Sequence, residues 1–136
     1  MICSLATGAR ADLESLWAQA SSAMRGQRGG EELLATIRGE GPATDLLDYL
    51  IKAGRIWLAR DGNVLKGLVV CHDRVVQMLF VDPRYRREGV ARSLVESLQT
   101  LANTPLDAYA LPGDRATKSL YESFGWKARL LTMRGE

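Results

Sequence analysis

The sequence predicts an α/β domain of mixed sheet, and three observations carry that prediction. Apolar residues recur at helical spacing through roughly the first fifty residues and then change to strand-like runs. The step Asp61, Gly62, Asn63 separates two of those runs as a hairpin turn does. Farther on, an apolar run ends in a basic, glycine-bearing loop, and a helical pattern opens straight after it. Strands and helices in that succession build a sheet covered by helices.

The opening stretch ICSLAT reads as a strand. From Ala9 onward Leu13, Leu16, Trp17 and Ala20 form one stripe of a helix, with Asp12 and Glu14 early in it, where the macrodipole favours acids. RGQRGG is a break, and residues 31–38 are a short helix that GEGP interrupts. Thr44 or Asp45 caps the next piece, which carries Leu46, Leu47, Leu50 and Ile51 on one side and stops at Gly54. RIWLAR and VLKGLVVC are hairpin strands, and Asp73 marks a second turn. VVQMLFV is apolar on both faces, as a central strand covered on both sides should be. Val90, Ala91, Leu94, Val95, Leu98, Leu101 and Ala102 make a helix stripe. LDAYAL is a strand, and Pro112-Gly113 breaks it. Asp114 caps a helix that holds Leu120, Tyr121 and Phe124 and ends at Gly125. WKARLLTM closes the chain as one strand or two very short ones. The predicted order is strand, two helical pieces, three antiparallel strands, helix, strand, helix, strand.

The 136 residues fit one domain spanning 1–136, and 46% hydrophobic content supplies a core without metals or disulfides. A net charge of +2 argues against a nucleic-acid binder, so any basic patch must be local. Cys3 and Cys71 lie inside apolar runs and nothing reads as a secretory signal. Two reduced, buried thiols in a cytoplasmic protein are expected. No apolar run is long enough to span a bilayer, so no membrane partner is expected.

The chemistry concentrates in residues 80–98, FVDPRYRREGVARSLVESL. The first amides of a helix have no intrahelical partner and point at the preceding loop, where the dipole adds positive charge. Phosphate oxygens suit that place. Gly89 lets backbone approach closely, and Arg86 and Arg87 screen phosphate charge. Read alone, the same loop also fits a solvated basic turn.

It does not stand alone. RREGVA, residues 86–91, resembles the Gln/Arg-x-x-Gly-x-Gly/Ala motif of the GCN5-related N-acetyltransferases, the GNAT superfamily. DRATKSLYESFGW, residues 114–126, is similar to that family's Asn-x-x-Ala-x-x-Leu-Tyr-x-x-x-Gly-Phe segment. The resemblance is close over residues 74–126 and coarse elsewhere. It implies a central mixed, mostly antiparallel sheet flanked by about four helices and splayed between the fourth and fifth strands.

It also implies an acetyl-CoA-dependent N-acetyltransferase without a metal. The pyrophosphate would lie on Arg86, Arg87, Glu88, Gly89, Val90 and Ala91, with Arg92 beside them. Pantetheine would bond the main chain of Leu79, Phe80 and Val81, and the Leu79 amide would polarise the thioester carbonyl. Tyr121 matches the family tyrosine that acts as general acid or hydrogen-bonds the CoA sulfur; on its own it also reads as a core aromatic. Where several members carry an acidic base this chain has Val75, with Gln77 on the same face able to position water but not to act as a base. His72, at the adjoining turn, is a minor candidate. That leaves a water chain as the base, or no base if the amine arrives neutral. The motif's asparagine is Asp114 here and its alanine Thr117, and Lys118 is within reach of the adenosine 3′-phosphate unless it is simply solvated.

In the family, the helical pieces of roughly residues 25–54 shape the acceptor pocket. Here they carry Glu31, Glu32, Glu40, Asp45 and Asp48 beside Arg25, Arg28 and Arg38, which leaves the amine unidentified. A CoA-binding module with little transfer activity is the alternative that Val75 and Asp114 keep open. A monomer or homodimer is expected.

Overall fold

The structure is a computed structural model that describes residues 1–41 and 45–135. Strands β1 (Ile2–Leu5), β2 (Ile56–Asp61), β3 (Val64–His72), β4 (Val75–Val81) and β5 (Asp107–Ala108) form one sheet in that order. The first three pairings are antiparallel and β4 runs parallel to β5, so the mixed, mostly antiparallel sheet is as expected. Helices α1 (Ala11–Arg25), α2 (Gly30–Arg38) and α3 (Leu46–Lys52) follow β1, α4 (Val90–Ala102) joins β4 to β5, and α5 (Arg115–Ser123) follows. Three helices therefore stand between β1 and β2, matching the three helical segments read one by one from the sequence, and the five helices among the described residues agree with a sheet flanked by about four. The glycine-rich breaks at residues 26–30 and 39–41 divide them, because each lets the chain turn between short amphipathic segments. Of the two expected caps for α3, Asp45 accepts a hydrogen bond from the Leu47 N–H, and Thr44 lies outside the described residues.

Alternation along the strands builds two cores. Leu58, Leu65, Leu68, Val70 and Met78 face α1–α3 and pack with Leu13, Leu16, Ile37 and Leu50. Ala59, Val69 and Val76 face α4 and α5 and pack with Val90, Leu94, Val95, Leu98 and Tyr121. Full burial of each large aliphatic side chain contributes about 1.5–3 kcal/mol, so these two layers dominate the stability. Asp12 of α1 pairs with Arg60 of β2 at 2.7 Å and fixes the helix on the sheet.

Two irregularities shape the sheet. Val70 pairs with Met78 but Cys71 with Val76, so Gln77 is an extra residue on β4. Likewise Ala59 pairs with Gly67 but Arg60 with Leu65, so Lys66 is extra on β3. Bulges bend the bulged strand and increase its twist. The pairing of β4 with β5 ends at Val76 and Ala108, right beside the Gln77 bulge, with one more bond from the Tyr109 N–H to the Val76 carbonyl. The expected splay between these strands is present, and the bulge gives its local cause.

Several expectations need correction. LDAYAL forms only the two-residue β5, and residues 127–135 form no strand. A closing strand needs a ladder to join, and two residues of β5 offer almost none. Trp126 stays packed on Tyr121, but Leu130 is 90% exposed. Leu101 is 69% exposed although helical spacing puts it on the same side as Val90 and Leu94; it is the second-last residue of α4, beyond the last buried residue of that stripe, Leu98. Cys3 and Cys71 are free thiols but only half-buried, and burial pushes the Cys71 thiol up.

Gly67 was not singled out by its sequence context. A Cβ there would meet Val90 Cγ1 at 2.8 Å and the Phe80 carbonyl oxygen at 3.1 Å. Its absence lets the start of α4 settle on β3. Gly67→Val is expected to destabilise the fold by about 1–3 kcal/mol through overpacking. Denaturant melts check this; a variant as stable as wild type would show that α4 is not seated there.

Candidate active site

The loop between β4 and α4 begins with a capped turn. Asp82 is buried, and its Oδ1 accepts from the Arg84 N–H at 2.9 Å, opening a 3-10 turn over Pro83–Tyr85. Arg84 Nη2 also donates to Asp82 Oδ2 at 2.8 Å. These bonds hold the Asp82 carboxyl below its ordinary value of 3.8, the arginine side chain contributing most. A depressed folded pKa stabilises above the unfolded value, and that stability is lost as pH falls through the folded one. Asp82→Asn, which keeps the shape, is therefore expected to be less stable than wild type at pH 7, with the gap closing below about pH 4. Denaturant melts at pH 7 and pH 3 measure this, and a constant gap would refute it.

Past the turn the chain enters α4 through two left-handed residues, Arg87 at φ 67° and Gly89 at φ 81°. Gly89 is the N-cap, and no side chain caps the helix. A Cβ at Gly89 would meet no atom within 4 Å, so the backbone there faces open space. The first turn of α4 holds no acidic residue, so the positive end of the dipole is not neutralised from within. Glu88, the acid nearest the helix start, accepts a hydrogen bond from Lys66 at 2.9 Å, which draws its carboxylate to β3. Arg87 is exposed and has no ion-pair partner among the described residues. Exposed donors, an open backbone and unmatched positive charge suit a polyanion.

The other expected residues divide between places. Arg86 folds back, its Nε donating to the Val81 carbonyl at 3.3 Å and its guanidinium 5.7 Å from the Phe80 ring centre. It must swing away for a ligand to use the Val81 carbonyl. Arg92 donates to Ser123 Oγ at 2.7 Å and lies over the Phe124 ring at 4.6 Å, which ties α4 to α5. Val90 is buried, and Ala91 is half-buried behind the loop. Asp114 caps α5 by accepting from the Thr117 N–H and hydroxyl, so its carboxylate is engaged with the helix it opens. Lys118 keeps the solvated position, with no ion-pair partner among the described residues.

Tyr121 is 6% exposed, stacks on Trp126 with ring centres 5.2 Å apart, and packs in the same cluster as Leu79 and Val81. Its hydroxyl has no hydrogen-bond partner among the described residues. Burial, with smaller contributions from Asp114 and Cys71, pushes its phenol far above the ordinary value of 10.0, so it stays protonated. A buried hydroxyl without a partner is costly, which marks the place where a ligand acceptor would be received.

Gln77 belongs to the opposite side. It lines a cavity of about 500 Å3 between α2, α3 and the β3–β4 hairpin, together with Arg38, Glu40, Tyr49, Arg55 and His72. Gln77 is buried, and its Oε1 also lacks a partner among the described residues. Val75 pairs with His72, so a hydrocarbon side chain stands where an acidic base was sought. The structure thus joins Tyr121 with Leu79 on one face of β4 and places Gln77 and His72 on the other. Arg55 and Tyr49 carried no sequence signal, because a lone arginine before a strand and a tyrosine on a short helix have many uses. Among the described residues, no group of histidine, cysteine and acidic side chains is arranged to hold a metal, and no helix is long and apolar enough to cross a membrane.

A family model for the acetyltransferase (GNAT) domain matches residues 52–128. No curated protein sequence matches the chain. Among solved structures, it is similar to the aminoglycoside antibiotic 6′-N-acetyltransferase of Acinetobacter haemolyticus, with TM-score 0.55 and 13% identity over 100% of this chain and 99% of that one. A predicted acetyltransferase from Clostridium acetobutylicum, solved with acetyl-CoA, gives TM-score 0.53 and 12% identity over 98% and 96%. A ribosomal-protein-alanine N-acetyltransferase from Brucella melitensis biovar Abortus gives 0.52 and 20% over 82% and 94%. At these identities the likeness to the solved structures is one of fold.

Proposed function

The chain belongs to the GNAT family of acetyltransferases, which use acetyl-CoA as co-substrate, and on that footing we propose that residues 1–136 form one transferase domain that moves the acetyl group directly to a small amine. The observation that carries the reading is the open, unneutralised N-terminus of α4 beside the splay of β4 and β5. The amides of residues 86–91 bind the pyrophosphate, and Arg87 supplies countercharge. The free edge of β4 at Leu79, Phe80 and Val81 takes the pantetheine, and the Leu79 N–H supports the carbonyl oxygen. In the transfer a C–N bond forms, the C–S bond breaks, the amine loses a proton and the leaving thiolate gains one. Tyr121, kept protonated by burial, donates to that sulfur. With Val75 at the base position, the amine arrives neutral or loses its proton to water that Gln77 orients.

A thermal-shift series with acetyl-CoA, CoA and ATP, followed by thiol detection with an amine panel, tests this. Stabilisation by the first two and not by ATP, with thiol release dependent on an amine, is expected. Equal stabilisation by ATP would reduce the loop to a general phosphate site. Binding without thiol release across the panel would reduce the protein to a CoA-binding module.

A further inference from the structure

The cavity on the Gln77 side of β4 has a chemistry of its own. Arg55 lies over the Tyr49 ring at 5.2 Å, half-buried, and has no ion-pair partner among the described residues. Arg38, which has a partner of its own, adds a second guanidinium to the lining. Against these stands one carboxylate, Glu40, which is exposed. The lining therefore carries more positive than negative charge even with His72 neutral. A polycationic amine gains nothing from such walls, because like charges near a protein surface repel by several kcal/mol at close range. A carboxylate gains a bidentate partner, since a guanidinium presents a planar fork of donors. Gln77 sits in the same cavity with a buried, unpartnered amide oxygen, an acceptor suited to an amine N–H.

We propose that the acceptor is a small amine that also bears a carboxylate, an amino acid or a close analogue, with its carboxylate on Arg55 and its amine toward Gln77. This rests on the acetyl-transfer reading and narrows its acceptor. The reaction is unchanged: the amine nitrogen takes the acetyl group, and CoA leaves as the thiol. A volume of about 500 Å3 accommodates a molecule of that size.

The test compares matched acceptors under saturating acetyl-CoA with thiol detection. The panel holds the common amino acids and β-alanine, each beside its neutral amide, together with 1,3-diaminopropane and an aminoglycoside. At least one amino acid is expected to exceed its amide by about tenfold or more in kcat/KM. Arg55→Gln should bring that ratio close to one, while Arg55→Lys keeps part of it. Acetyl-CoA affinity, titrated separately, should be unchanged in both variants, and melting curves confirm that they fold. Preference for the diamine or the aminoglycoside overturns the proposal. So does an acid-to-amide ratio that Arg55→Gln leaves intact, or donor binding with no amino acid turned over; each of these leaves the donor reading standing. Failure of the wild-type protein to bind acetyl-CoA would overturn the acetyl-transfer reading and this proposal with it.

Discussion

Gly89→Glu is expected to abolish acetyl-CoA binding. The substitution places a carboxylate at the N-cap of α4, where the account puts the pyrophosphate. Two unit charges about 4 Å apart near a protein surface repel by about 4 kcal/mol. Screening at physiological salt reduces that figure, so a loss of at least about a hundredfold in affinity is expected. Gly89 also holds a φ of 81°, a conformation that side-chain-bearing residues adopt at a cost. Gly89→Asn separates the two effects, because asparagine tolerates the left-handed region and carries no charge. It should bind acetyl-CoA within about tenfold of wild type, allowing for a strain of about 1 kcal/mol. A Cβ at this position meets nothing within 4 Å, so neither variant should unfold. A calorimetric titration of Gly89→Glu that matched wild type would move the donor site away from this loop.

Tyr121→Phe has the second large effect, and its two parts point in opposite directions. The hydroxyl is buried without a partner, so removing it should leave stability unchanged or raise it by about 1 kcal/mol. The rate of acetyl transfer should fall by about a hundredfold, the usual contribution of a positioned acid. Acetyl-CoA affinity should change little, because the stacking on Trp126 and the packing against Leu79 survive the substitution. A phenylalanine variant that is as active as wild type would return Tyr121 to the role of a core aromatic. A gain in stability paired with a loss of rate is the pattern expected where a fold keeps an unsatisfied group for a reaction.

The elements of the proposed donor side were legible in the sequence because they depend on local pattern. A strand, a basic turn with one glycine and a helix stripe follow one another in residues 75–102, and the structure builds β4, the capped turn and α4 there. The Asp61-Gly62 hairpin and the Asp114 cap were equally local and appear as expected. What depends on distant partners was not readable. The Gln77 bulge arises from the register of β4 against β3, which no single strand reveals. The steric demand at Gly67 comes from Val90, the Phe80 carbonyl and Leu94, all thirteen or more residues away. The closing strand was expected from apolar content alone, but its formation rests on a β5 edge that is two residues long. The cavity was out of reach for the same reason. It assembles Arg38, Tyr49, Arg55 and Gln77 from four separate elements or loops, and nothing in their spacing announces a site.

The central claim is that the backbone amides entering α4 hold the donor's pyrophosphate while the free edge of β4 takes its arm. Amide hydrogen exchange with and without acetyl-CoA reads those amides directly. The account predicts added protection at residues 86–91 and 79–81, with β2 and α1 unchanged. Protection that spared residues 86–91 while acetyl-CoA was demonstrably bound would contradict it.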